Sequence, residues 1–332
     1  MSIIAATIQC HVNRWLVLLF IQIFSLSYAP MFSISTALVL ARLADAKKEF
    51  GPIRALATIG WMCGALLIGC LNLDGSPLIG YLGTVVWFLV AGFTYFLPLL
   101  EIPASAEHLS WHERLGLDAL TLLKDRETRV VFLTTTLFNI PICAFYPDTP
   151  AHLRDLGFVH TSAWMSLAQI TEIMAMFSLA WLLLNWRLKW IFVMGLSFGV
   201  LRFALCGLNT RWSLLLGITL HGASYVLAYI TAQIYLNQRI DGAWRTRAQA
   251  LLTLMNSGVG NLIGYLGVGW WLASCTEGKT RHWPQFWWGL TLLVAMVLVY
   301  FLWAFRGKGE MASTRRDVKN ISGSPDASSA KV

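Results

Sequence analysis

Charge is scarce in this sequence. Lys, Arg, Asp and Glu make up 13% of its 332 residues, while 57% are apolar without counting the 26 glycines. A soluble core with this apolar content would need more polar surface than so few charged side chains supply, so lipid is the solvent for much of the chain. A secreted domain, a soluble enzyme and a disordered protein are excluded. There is no CxxC pair. The six cysteines (Cys10, Cys63, Cys70, Cys143, Cys206 and Cys275) fall mostly in apolar runs and read as small buried hydrophobes rather than zinc or redox ligands. No complete GxxxxGK[ST] and no HExxH occurs, so ATP-driven transport and zinc-dependent proteolysis lack their signatures. The net charge of +8 does not argue for nucleic acid, because membrane topology uses Lys and Arg for another purpose. No nucleic-acid partner, metal or cofactor is expected.

What is present is a series of long apolar runs. A bilayer core about 30 Å thick takes about 20 helical residues, and nine suitable runs lie near 15–41, 53–71, 78–100, 130–149, 162–184, 190–207, 212–238, 248–272 and 285–305. The first begins like a signal peptide, with Arg14 ahead of it and Ser27-Tyr28-Ala29 resembling a cleavage site. Its apolar character resumes from Met31 to Ala41, however, and Pro30 is tolerable as a kink inside a membrane helix, so it reads as a span. Residues 101–129 mix both charge signs with leucines and read as an interfacial linker with a helical part. Residues 306–332, rich in Ser, Gly, Lys and Arg, read as a disordered tail. Nineteen of the basic residues fall in the tail and the alternate segments that share its side, and five fall in the others, which places the N-terminus outside and the C-terminus in the cytoplasm.

Polar residues inside these runs need a reason to be there. They are Arg54, Thr58, Gln169, Glu172, Arg202, His221, Gln233, Asn256 and Asn261. Glu172 is residue 11 of the 23 in run 162–184, near the midplane, where an ionised carboxylate is costly unless it faces a wet cavity or a cation. Gln169, three positions earlier, projects from the same face and suits a shared ligand; the alternative for both is an interhelical contact. His221 sits at comparable depth with Tyr225 one turn on, and is either a satisfied helix contact or a ligand or proton carrier. Arg54, Thr58 and Trp61 follow one another at turn spacing, so a cation, a hydroxyl and an aromatic plate share a face that suits a polar ring-shaped ligand. Arg54 alone would read as a snorkelling residue, and Arg202, toward the outer end of its run, as structural. The glycines from Gly258 to Gly269 permit close helix packing.

Five strings occur together and in order: FGPIRALATIGW (50–61), SWHERLGLDALTLLKD (110–125), MSLAQITE (165–172), LRFALCG (201–207) and WRTRAQALLTLMNSGVGNLIG (244–264). From about residue 15 to 305 the chain resembles the bacterial nucleoside:proton symporter family of the major facilitator superfamily. The resemblance implies an all-α membrane protein of two helical bundles with a central site alternately open to either side. It also implies uptake of nucleosides with protons across the cytoplasmic membrane, and no enzymatic activity. The family's nucleoside-binding Arg, Thr and following aromatic fall on Arg54, Thr58 and Trp61, and its Gln and Glu on Gln169 and Glu172. Its pattern aromatic-Gly-x-x-aromatic-Asp reads His221-Gly222-Ala223-Ser224-Tyr225-Val226, so Val226 stands where the family carries an acid implicated in proton coupling. The remaining coupling candidates are Glu172 and His221. In run 130–149, Cys143 and Tyr146 stand where better-known members have amides.

The resemblance puts the first run on the family's fourth helix, so one three-helix repeat is missing from the pattern. The expected organisation is an incomplete first bundle of three spans (1–100), a cytoplasmic linker (101–129), a complete six-span bundle (130–305) and a tail (306–332). Such a half-empty bundle implies lower stability than in a twelve-helix relative, or oligomerisation. The alternative function is a non-transporting or degenerate facilitator-fold membrane protein.

Overall fold

The computed structural model describes residues 1–10, 13–96 and 117–307. With no water to satisfy the backbone, an apolar run must close its own hydrogen bonds, and helix does so. The helices are α1 (Ser2–Gln9), α2 (Arg14–Arg42), α3 (Ala46–Cys70), α4 (Leu78–Thr94), α5 (Arg126–Ile142), α6 (Phe145–Asp155), α7 (Thr161–Met165), α8 (Leu167–Asn185), α9 (Leu188–Gly207), α10 (Arg211–Tyr225), α11 (Thr231–Arg239), α12 (Gly242–Thr253), α13 (Asn261–Ser274) and α14 (Trp283–Ala304). A 3-10 helix at Leu117–Lys124 precedes α5, and a short hairpin, β1 (Thr276–Glu277) with β2 (Thr280–Arg281), joins α13 to α14.

Seven helical stretches among the described residues are long and apolar enough to cross a membrane: Lys48–Cys70, Arg126–Asp155, Thr161–Asn185, Leu188–Gly207, Arg211–Arg239, Arg247–Ser274 and Trp283–Ala304. The other two expected runs fall on α2 and α4, with residues 97–100 outside the described residues. Of the expected linker, 101–116 lies outside them, as does the tail from 308 onward.

Local sequence explains the helix ends. Thr210 and Ser213 form a reciprocal capping box that starts α10. Asp125 starts α5 by accepting from the Thr128 amide at 2.9 Å, and Arg239 approaches the same carboxylate at 3.7 Å. Partial burial opposes its charge, but Thr128 and the guanidinium groups of Arg239 and Arg129 outweigh this and hold the Asp125 carboxyl below the ordinary carboxylate value. Asp125→Ala is expected to lose about 1 kcal/mol at neutral pH, the usual worth of an N-cap, read as a lower thermal midpoint in detergent. Because the native carboxyl titrates below its unfolded value, the advantage of Asp over Ala is present above about pH 4 and disappears as the pH falls through the depressed value.

Two helices swell into π turns, Val226–Ile230 between α10 and α11 and Leu254–Gly260 between α12 and α13. The first lies against α9, where a Cβ on Gly195 would sit 2.9 Å from Leu227. Helix α8 packs between α3 and α10, and α9 between α10 and α14. The core is aromatic, with Phe192, Phe203, Phe286, Trp287 and Phe301 fully buried, while Phe88, Trp212 and Trp303 point outward, as expected of a lipid-facing surface.

Candidate functional site

Helix α8 carries Glu172 into the middle of the molecule because both neighbouring helices meet it at a glycine. A Cβ at Gly51 of α3 would overlap the Met176 carbonyl oxygen, and one at Gly222 of α10 would overlap the Ala168 carbonyl oxygen and the Glu172 amide. With these helices so close, the Thr58 hydroxyl donates to Glu172 Oε1 at 2.8 Å and lies 3.9 Å from Met176 Sδ. One turn away Arg54 shares a side-chain hydrogen bond with Tyr225 of α10, and Glu172 and Tyr28 are its further electrostatic neighbours. Arg54, Thr58, Glu172 and Tyr225 therefore form one cluster drawn from three helices.

Trp61, one turn beyond Thr58, is 55% exposed and meets Tyr146 of α6 edge to face, with ring centroids 6.0 Å apart. The cluster thus presents a carboxylate, a guanidinium and hydroxyls beside an aromatic pair. These groups hydrogen-bond a neutral polar ligand and stack on a flat ring.

Two expected members sit differently. Gln169 is buried in the first turn of α8. With its amide nitrogen turned toward them, it donates to the carbonyls of Met165 and Ser166, 3.1 Å each. His221 is buried on the far side of Tyr225, their ring centroids 6.4 Å apart. It stacks flat on Phe145 at 3.7 Å, and its Nδ1 contacts the Arg202 guanidinium. Arginine has no lone pair to offer, so Nδ1 is the acceptor and the imidazole is neutral in this contact. Arg202 itself is buried between the rings of Phe145 and Phe203, 5.1 and 4.3 Å from their centroids.

A second polar knot joins the two π turns. Tyr229 donates to Asn139 Oδ1 at 3.1 Å, Asn139 donates to the Asn256 carbonyl at 2.9 Å and to Asn261 Oδ1 at 2.6 Å, and Thr136 donates to Asn256 Oδ1 at 3.1 Å. Asn256 of the second π segment and Asn261 just after it are visible in the sequence as polar residues in an apolar run. Their partner Asn139 carries the same signal in run 130–149 and belongs with them. Tyr28, an electrostatic neighbour of Arg54, has no comparable signal, since aromatics are common in lipid-facing helices.

Among the described residues no group of three or more His, Cys, Asp or Glu is placed to hold a metal ion. Gly195-Leu196-Ser197-Phe198-Gly199 has the spacing of a hydrolase nucleophile elbow, but it runs inside α9 rather than across a strand-to-helix turn. Its glycines serve packing: a Cβ on Gly199 would lie 2.6 Å from the Phe138 ring.

Comparison with known proteins agrees with this picture of a membrane carrier. The family model described as nucleoside H+ symporter matches residues 2–310. YegT of Escherichia coli strain K12, provisionally named a nucleoside transporter, is 30% identical over 322 residues, covering 90% of this chain and 75% of that protein. The nucleoside permease NupG of the same organism is 25% identical over 288 residues, covering 81% and 69%. Its xanthosine permease is 22% identical over 301 residues, covering 85% and 72%. These relatives are permeases, not enzymes. A crystal structure of a NupG mutant superposes with a TM-score of 0.75 at 22% identity, covering 92% of this chain and 81% of that one, and shows a common facilitator-type helical fold. The chain is thus a member of the nucleoside H+ symporter family.

Proposed function

We propose that the protein moves nucleosides across the bacterial cytoplasmic membrane by alternating access, with protons as the driving ion. The observation that carries this reading is the cluster of Arg54, Thr58, Glu172 and Tyr225 beside Trp61, because it supplies at one place what a nucleoside requires. Ribose hydroxyls need charged and neutral hydrogen-bond partners, and a base needs an aromatic plate. The relatives named as nucleoside and xanthosine permeases support the same substrate class. In this reading Arg54, Thr58, Glu172 and Tyr225 bind the polar edges and Trp61 the base, while Gln169 steadies the first turn of α8. The domain boundaries expected from the sequence, the outside N-terminus and the two-bundle division belong to the same proposal.

Glu172 is the coupling acid in this scheme. It is a titratable group at mid-depth whose partners come from a different helix, so rearrangement of α3 against α8 alters its surroundings. His221, held as a neutral acceptor by Arg202, is a positioning residue. The test is uptake of radiolabelled uridine into vesicles with and without an imposed pH gradient. Gradient-dependent accumulation is expected from the unmutated protein, and from His221→Gln, which retains an acceptor for Arg202, within about threefold, a difference of under 1 kcal/mol. His221→Phe strands a buried guanidinium and is expected to lower the yield of folded protein. Uptake that ignores the gradient overturns the coupling, and no uptake overturns the transport reading.

A further inference from the structure

The turn between α3 and α4 reaches across to α7. Asp74 Oδ1 accepts from the Ser162 amide at 3.1 Å and from the Ser162 hydroxyl. Asn72 and Gly75, with φ of 55° and 78°, form the tight turn that presents Asp74. Beneath it Gly69 lets α3 come so near α7 that a Cβ there would be 2.9 Å from Ala163 Cβ. The second carboxylate oxygen, Oδ2, is buried with no hydrogen-bond partner among the described residues.

We propose that Asp74 is the releasable latch at this end of the substrate pathway. The inference rests on the alternating-access reading above. Thr58 and Glu172 face one another across α3 and α8, so a solute reaching them from this end must pass where Asp74 ties α3 to the segment that leads into α8. The tie cannot persist in both facing states. Its chemistry suits release: two charge-assisted bonds favour closure, while the unpaired buried Oδ2 raises the energy of the closed state and keeps the latch from becoming permanent. Ser162 lies ten residues before Glu172, about 15 Å at helical rise, on the short helix α7 that leads through Ser166 directly into α8, so the latch bears on the segment that carries the carboxylate.

The test needs no substrate. In a background with the six native cysteines, all free thiols, replaced by serine, Thr58→Cys serves as a reporter for a membrane-impermeant maleimide, applied separately to each face of sealed vesicles; the latch face is the one from which Asp74→Cys reacts. Adding Asp74→Ala is expected to raise reporter labelling from the latch face about tenfold, the scale of lost charge-assisted bonds, and to lower it from the opposite face. Asp74→Asn, which retains an acceptor for Ser162, is expected to give a smaller rise. If Asp74→Ala does not fold, Ser162→Ala removes the hydroxyl donor and should shift labelling in the same direction. Unchanged labelling from both faces in a folded variant means that Asp74 is a static brace and overturns the proposal. Absent uridine uptake by the unmutated protein would instead sink the transport reading, so the two failures are distinguishable.

Discussion

Glu172→Gln is expected to reduce gradient-driven uridine uptake to the level seen without a gradient, a loss of about 100-fold if the carboxylate's bonds to substrate and its proton are both given up. The glutamine oxygen still accepts from Thr58, whose hydroxyl lies 2.8 Å from Glu172 Oε1, so the contact between α3 and α8 survives. What disappears is the ability to bind and release a proton, together with the charge facing Arg54. Thr58→Val makes the complementary change. It keeps the acid and removes the hydroxyl, and should weaken uptake by about tenfold, near the worth of one hydrogen bond to a charged group, without abolishing its response to the gradient. Initial rates at several imposed gradients separate the two. Accumulation against a concentration gradient by Glu172→Gln would remove the acid from the coupling mechanism.

The second large effect is structural. Gly222→Ala places a methyl group onto the Ala168 carbonyl oxygen and the Glu172 amide, and 2.7 Å from Glu172 Cα. These are backbone atoms of a packed helix and cannot rotate away, so the cost should reach or exceed the upper end of the 1–3 kcal/mol range of roughly typical overpacking. The expected result is a lower thermal midpoint in detergent and loss of uptake, because α8 and α10 must separate where Glu172 and Tyr225 converge. Gly267→Ala is the control: nothing lies within 4 Å of its added Cβ, and Ala stabilises a helix interior by about 0.5–1 kcal/mol over Gly. Equal midpoints for the two variants would show that the crossing at Gly222 is looser than the contacts imply.

The spans are legible in the sequence because bilayer thickness fixes their length and a backbone without water has one solution. Each of the nine runs falls mainly on helix, with breaks at Cys143–Ala144 and Ser166. The π turns leave no comparable trace in local composition; what marks them in the structure is that Tyr229 of the first and Asn256 of the second share Asn139 as a partner. Glu172 is legible through its cost at mid-depth. Gln169 is only half legible: it shares the unbroken helix α8 with Glu172, as the three-residue spacing implies, but in the first turn of that helix the carbonyls of Met165 and Ser166 take its amide nitrogen. His221 is ambiguous for a similar reason. Its depth is readable, whereas its partner Arg202 comes from another helix and reads in isolation as a structural cation.

The buried guanidinium of Arg202 also constrains how the chain enters the membrane. An arginine in an inserting helix carries a cost that reaches about 2.5–3.5 kcal/mol at the helix centre and falls toward its ends; Arg202 stands five residues from the end of α9, so it carries part of that cost, and during synthesis it emerges before the acceptor that satisfies it. Phe145 is already made, but His221 lies 19 residues further on, across the tight turn where Asn209 adopts a φ of 54°. Passage of α9 and α10 from translocon to lipid as a hairpin, with His221 beside Arg202, is therefore favoured over their entering singly. A nascent chain arrested just after Gly207 should remain accessible to water, and one extended through Tyr225 should partition fully.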